Sequence, residues 1–236
     1  MRLAGTARGR AAGTVATVAS VHKVTPRMSR VRLVGESVRA IPGQTVKIYV
    51  PDLVNGRLVA RDYTVRDVNV ARSSLDIDFV LHGAGPAADW ARRVQPGQTL
   101  EFIGPSGRYR PDPSSDWHLF AGDETALPAI QAYVEMLADD ACALLYLEVA
   151  DAAEQQPIAG PARVTVHWLH RGDQVPGTST VLDDALRAVR LPPGQGRIWL
   201  AGHTPTVRRI RAHLLDERGV DRPALYVKGY WDHRER

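Results

Sequence analysis

Apolar and polar positions follow two rhythms along the chain. From Thr14 to about Gly107 the stretches Thr14–Val24, Val31–Val34, Thr45–Val50, Leu58–Val68, Ser74–Leu81 and Thr99–Ile103 are β-branched or alternate with period two. Ser74-Leu75-Asp76-Ile77-Asp78-Phe79-Val80-Leu81 alternates most cleanly, one face polar and one apolar. Gly43, Gly56, Pro96-Gly97 and Gly104-Pro105 punctuate the strands as turns. A single helical patch, Pro86–Val94, sets Ala87, Trp90, Ala91 and Val94 on one face. This spacing predicts a small six-stranded antiparallel β-barrel over 14–110.

Arg110-Pro111-Asp112-Pro113-Ser114-Ser115 reads as the linker, with 111–115 as its boundaries, and 116–236 as a second domain. There, strands at Trp117–Ala121, Cys142–Val149, Arg163–Leu169, Arg197–Ala201 and Leu225–Val227 alternate with helices. The first helix repeats Leu127, Ile130, Val134 and Leu137 at steps of three and four. Another spans Val181–Val189. The last has Thr204 as N-cap candidate, Pro205 in its first turn, Val207, Ile210 and Leu214 on one face, and Gly219 beyond its end. Alternation of this kind predicts a C-terminal α/β domain with a largely parallel sheet wrapped by helices.

With 44% apolar and 24% charged residues among 236, the chain has globular composition. No apolar run approaches the ~20 residues of a membrane span, and the first twenty residues lack the apolar block of a signal peptide. A soluble cytoplasmic protein is expected, monomeric or weakly dimeric, with no membrane partner. Cys142 is the only cysteine, which excludes an intramolecular disulfide and a thiolate cluster. Its apolar run, Ala141 to Leu147, suits a small buried hydrophobe. His167 and His170 lie three apart on a predicted strand and so face opposite sides, and no metal site is expected. Lys23, Lys47 and Lys228 are the only lysines among 30 basic residues. Arginine suits phosphates and planar anions, but no nucleic-acid recognition signature accompanies it.

Three segments carry candidate chemistry. In Arg61-Asp62-Tyr63-Thr64-Val65-Arg66, alternation places Arg61, Tyr63 and Val65 on one face and Asp62, Thr64 and Arg66 on the other. The first face suits a diphosphate and a flat ring; a cross-strand ion pair with a half-buried tyrosine is the plainer reading. In His82-Gly83-Ala84-Gly85-Pro86-Ala87-Ala88-Asp89-Trp90-Ala91, glycines lead into a helix whose first N–H groups can face an anion. The dinucleotide fingerprint is absent, because Trp90 follows where a third glycine would stand. Gly122-Asp123-Glu124-Thr125-Ala126-Leu127-Pro128-Ala129 lies at a strand-to-helix turn, where α/β sheets gather ligands. Its two carboxylates complement the helix dipole and oppose a simple phosphate clamp.

Taken together and in this order, the three segments resemble the siderophore-interacting protein family, within the ferredoxin-reductase-like flavoproteins. The likeness extends from about Val21 to Trp231, including Thr25-Pro26-Arg27-Met28-Ser29-Arg30-Val31 and Gly229-Tyr230-Trp231. It implies a Greek-key FAD-binding β-barrel, a C-terminal α/β nucleotide-binding-like domain, and an FAD-dependent reductase that passes single electrons to ferric siderophores, reduced by NAD(P)H or by a ferredoxin. Carried over by motif, Arg61, Asp62, Tyr63, Thr64, His82, Gly83, Gly85, Pro86, Ala87 and Trp90 would hold FAD. Gly122, Asp123, Glu124, Thr125 and Ala126 would border the electron-donor pocket. Lys47, Arg66, Lys228 and Arg234 are the basic candidates for an anionic siderophore; Lys47, which could point into the cleft between domains, is favoured only because the same local pattern recurs in the family. No catalytic residue is assigned. Two departures fall on the donor or substrate side: Ala201-Gly202-His203 stands where relatives commonly read Ala-Gly-Glu, and the tail Asp232-His233-Arg234-Glu235-Arg236 replaces an arginine–glycine ending. A flavin oxidoreductase with another acceptor, and a non-redox module binding an iron chelate or nucleotide, are the alternatives.

Overall fold

The computed structural model describes residues 13–35, 39–81, 83, 85–160 and 163–233. Its amino-terminal half is a closed barrel of β1 (Thr14–Thr25), β2 (Met28–Val34), β3 (Thr45–Pro51), β4 (Leu58–Asn69), β5 (Ser74–Val80) and β6 (Thr99–Ser106). Neighbours pair antiparallel in the order β1-β2-β5-β4-β3-β6, with β6 closing on β1. Strands β3 to β5 meander and β6 returns beside β3, which is a Greek key. Val31, Leu33, Val46, Ile48, Val50, Val65, Ile77 and Phe79 point inward and are fully buried. Helix α1 (Pro86–Arg93) adds Ala87 and Ala91 to this core. Strand β2 starts at Met28, before the expected Val31, because Thr25 and Met28 already pair across the Pro26-Arg27 turn. Opposite β2, Asp76 and Asp78 are buried but meet Arg32 and Arg30 in two-pronged ion pairs of 2.6–2.8 Å. Pairing of this kind is what permits a carboxylate inside.

The second half contains β7 (Trp117–Gly122), α2 (Leu127–Val134), β8 (Cys142–Val149), β9 (Arg163–His170), α3 (Val181–Ala188), β10 (Gly196–His203), α4 (Thr204–Ala212) and β11 (Leu225–Trp231). The strands form a parallel sheet ordered β11-β10-β7-β8-β9. Leu119, Ala121, Ile198 and Leu200 face α3 and α4, while Phe120, Leu145, Leu147 and Trp199 face α2. Every residue of α2 is buried, the state of a helix covered on all sides: the sheet lies on one flank and the barrel on the other. The helix stops at Val134, short of the expected Leu137, and tightens into i→i+3 bonds. The N-cap of α4 is His203, not Thr204, which is its first helical residue. Strand β11 continues past the expected Val227, because Lys228, Gly229 and Trp231 still pair with Ala201, Gly202 and His203 across a bulge. Cys142 is half-buried rather than enclosed.

Long-range polar contacts fasten the halves together. The Arg66 guanidinium grips both oxygens of Glu135 at 2.6 and 3.0 Å and donates to Gln131 at 3.0 Å. The Tyr133 hydroxyl donates to the Gly43 carbonyl at 2.9 Å, and the Thr25 hydroxyl to Glu154 at 2.5 Å. No helix among the described residues is long and apolar enough to cross a membrane.

Candidate active site

Strand β4 has two working faces. Tyr63 and Arg61 lie opposite the inward-pointing Val46 and Ile48 of β3. The Tyr63 ring packs 4.4 Å from Phe79, which in turn lies 5.4 Å from Trp90. Burial pushes the Tyr63 phenol well above its ordinary pKa, so the ring serves as an uncharged wall. Arg61 donates only to the neighbouring Ala60 carbonyl and has no carboxylate partner among the described residues. Beyond β5, Gly85 caps α1 without a side-chain hydrogen bond, leaving first-turn N–H groups open. Gly83 is left-handed at φ 65°, and a Cβ added at Gly83 or Gly85 would meet nothing within 4 Å. Arg92 holds this turn by donating to the Leu81 and Gly83 carbonyls. An open glycine turn, free N–H groups, an unneutralised guanidinium and a flat ring fit the diphosphate and ring system of FAD. The side chains of Ala87 and Trp90 pack against the barrel core, as the Tyr63 ring does in part, and Ala87 contributes its backbone N–H to the open first turn.

The outer face of β3 and β4 turns toward the second domain. Thr45 and Thr64 stand opposite each other there. The Lys228 ammonium lies 3.5 Å from the Thr45 hydroxyl and 5.5 Å from the centre of the Tyr230 ring. The Tyr230 phenol is raised by burial and faces the Thr64 side chain. On the same outer face Lys47 pairs with Asp62 at 2.6 Å, both about half exposed. Asp62 thus meets a lysine and lies away from the Arg61 and Tyr63 face. Arg66 is spent on Glu135 and Gln131 and presents no free charge for an anion. That removes its expected place among the basic candidates, because the partners that neutralise it lie far along the chain. His82 and Arg234 lie outside the described residues.

The carboxyl ends of β7, β8, β9 and β10 form the expected donor side. At Gly122 a Cβ would sit 2.3 Å from the Ala201 carbonyl, so only glycine allows this approach. One Asp123 oxygen accepts from the Thr125 N–H and hydroxyl, the other from the His203 N–H at 2.8 Å and the Trp231 indole at 2.9 Å. This carboxylate clasps three strand ends and has little capacity left for a ligand. Glu124 meets Arg171 at 2.6 Å, and Glu148 lies 3.9 Å from the same guanidinium. All three side chains are almost fully buried. Burial, followed by Asp123, pushes Glu148 up to about 7 despite Arg171, and burial also raises Glu124. Neither Arg171 nor Glu148 is singled out by sequence; their positions at the ends of β9 and β8 are the only signal. The two departures from the family pattern meet in space: the His203 and His233 rings are 5.2 Å apart beside Trp231. His203 is held below its ordinary pKa by burial first and by His233 next.

Comparison with known proteins gives this geometry a context. Residues 53–109 match the family model described as siderophore-interacting FAD-binding domain, and residues 115–234 that of siderophore-interacting protein. The chain is 40% identical, over 72% of its length, to an uncharacterized protein of Mycobacterium tuberculosis, and the match spans 64% of that relative. It is 33% identical to the ferric vibriobactin reductase of Vibrio cholerae, covering 88% of this chain and 85% of that one. A siderophore utilization protein from T. fusca superposes with a TM-score of 0.86 at 36% identity, covering 95% and 94% of the two chains. With both domains matched and the barrel-plus-sheet architecture in common, the chain belongs to the siderophore-interacting protein family.

Proposed function

We propose that this chain holds FAD between β4 and α1 and reduces ferric siderophores in the cytoplasm, one electron at a time, to release Fe(II). Arg61 and the α1 N–H groups would take the diphosphate, Tyr63 would wall the ring system, and Thr64 would hydrogen-bond its edge. When bound, the flavin supplies the conversion from a two-electron donor to single-electron delivery. Oxygen chelators hold Fe(III) far more tightly than Fe(II), so one electron suffices to release the metal. The observation that carries the reading is the seam where β11 meets β3 and β4: Lys228, with no carboxylate partner among the described residues, stands on the face that also presents Thr64, Tyr230 and the half-exposed Lys47–Asp62 pair. The Lys228 ammonium there raises the local concentration of an anionic ferric complex, and Lys47 can exchange Asp62 for such a ligand.

The test is anaerobic: the reduced protein is mixed with a ferric catecholate or a ferric hydroxamate while a chromogenic chelator traps Fe(II). Fe(II) should appear as flavin colour returns, and flavin-loaded protein that yields none would overturn the reading. Lys47→Ala should raise KM for the anionic complex by roughly tenfold, about 1.4 kcal/mol, with flavin content unchanged. Titration with NADH, NADPH and reduced ferredoxin identifies the donor. Asp123 places a carboxylate just ahead of α2, which disfavours a phosphate clamp there.

A further inference from the structure

We propose that the free edge of β11, together with α4, is a docking groove for an extended segment of a partner protein in which acidic and apolar residues alternate. The segment adds to the parallel sheet as a sixth strand. β11 is the outermost strand on its side, and among the described residues nothing pairs with its outer edge. Residues 225–230, at ~3.3 Å each, present roughly 20 Å of main chain with no partner strand among the described residues. Such an edge is a template for another strand unless it is blunted.

A groove of about 760 Å³ runs between this edge and α4. Val207, Val227 and Gly229 form its floor, Arg208 and Arg211 its rim along α4, and Thr204 and the single acid Asp232 also line it, so its cations outnumber its one carboxylate. Three residues apart on the helix, these arginines share a face, and neither has a hydrogen-bonding or ionic partner among the described residues. Their neighbours are committed: Arg209 contacts Asp183, and Arg218 donates to the Arg187 and Val189 carbonyls. The strand's other face presents Tyr226, 42% exposed. Because side chains of an added strand alternate between faces, its acidic residues would meet Arg208 and Arg211 and its apolar residues Tyr226.

The chemistry selects this occupant over others. A second copy docking edge to edge would set four arginines against one another. A nucleotide would find no ring among the groove's lining residues to stack on, and would leave the strand's main-chain groups unpaired. Strand addition satisfies the main chain, and charge supplies selectivity. The inference does not depend on the flavin chemistry.

The probe is a short fluorescein-labelled peptide alternating valine and glutamate, followed by anisotropy with the full chain, and by hydrogen exchange with the unlabelled peptide. Binding should weaken about tenfold in the Arg208→Gln/Arg211→Gln variant, whose far-UV circular dichroism and flavin content report that it is folded. Lysine in place of glutamate should abolish binding, proline in alternate positions should weaken it about tenfold, and β11 amides should gain protection. The proposal is overturned if the acidic peptide does not bind at low salt, or if the proline version binds equally, which would mean charge without strand pairing. Protection confined to elements other than β11, or displacement of the peptide by ADP, would overturn it as well.

Discussion

Arg171, Glu124 and Glu148 show how a single residue's meaning depends on its neighbours. Two carboxylates share one guanidinium out of water, and burial outweighs attraction at Glu148, pushing it up to about 7. A carboxyl whose pKa is raised on folding binds its proton more tightly in the native state than in the unfolded chain, where ~4.3 is usual. Native stability therefore falls as pH rises from about 4.3 toward 7 and carries the full cost above that. Glu148→Gln removes the titration and leaves Arg171 its Glu124 partner. Denaturant melts should show the variant more stable than the parent at pH 8, by up to about 3 kcal/mol, with the gain gone near pH 4. A constant difference across that range would mean that Glu148 does not titrate in this window. In the sequence Glu148 is only the polar end of an apolar run, and Arg171 one arginine among many. Asp123 is visible as a turn acid, but its role as a clasp for Thr125, His203 and Trp231 depends on strand ends that meet only in the fold.

Elements were more legible than residues, because their signal is local. Alternation along β5 and the apolar positions of β3 follow from side chains that point to opposite faces of a strand. The glycine turn into α1 was equally readable as a place where backbone N–H groups are exposed. The fold adds that the turn opens outward. Gly85 has an extended backbone at φ −179° and free space beyond it, so Gly85→Val is tolerated by the protein while its side chain fills the cradle. Its melting temperature should stay within about 2 °C of the parent, while FAD affinity drops at least about tenfold. Unchanged FAD retention in the folded variant would place the cofactor elsewhere. Element ends were read less well. Helix α2 looked amphipathic yet is buried all round, because periodicity registers the sheet-facing stripe and cannot register a barrel arriving from the other side.

At the scale of the whole molecule, the seam between barrel and sheet decides what remains available to a ligand. It is tight: Gly43 has φ 82°, and a Cβ there would fall 2.3 Å from the Tyr133 ring of α2. Gly43→Ala should therefore cost about 2–4 kcal/mol, from left-handed strain and overpacking together, and hydrogen exchange should rise in α2. Tyr133→Leu in the same chain removes the obstructing ring. The double variant should then be less destabilised than the sum of the singles by at least about 1 kcal/mol. Strict additivity would show that α2 does not bear on this turn.

Sequence by itself determined the two architectures, the inward faces of their strands and the glycine cradle, since each follows from spacing within a few residues. Tertiary structure alone decided which charges stay free. Arg66 is neutralised by Glu135, 69 positions away, while Lys228 reaches Thr45 and Arg208 and Arg211 find no partner among the described residues. Burial and pairing are set by contacts between distant segments, and local pattern carries no record of them.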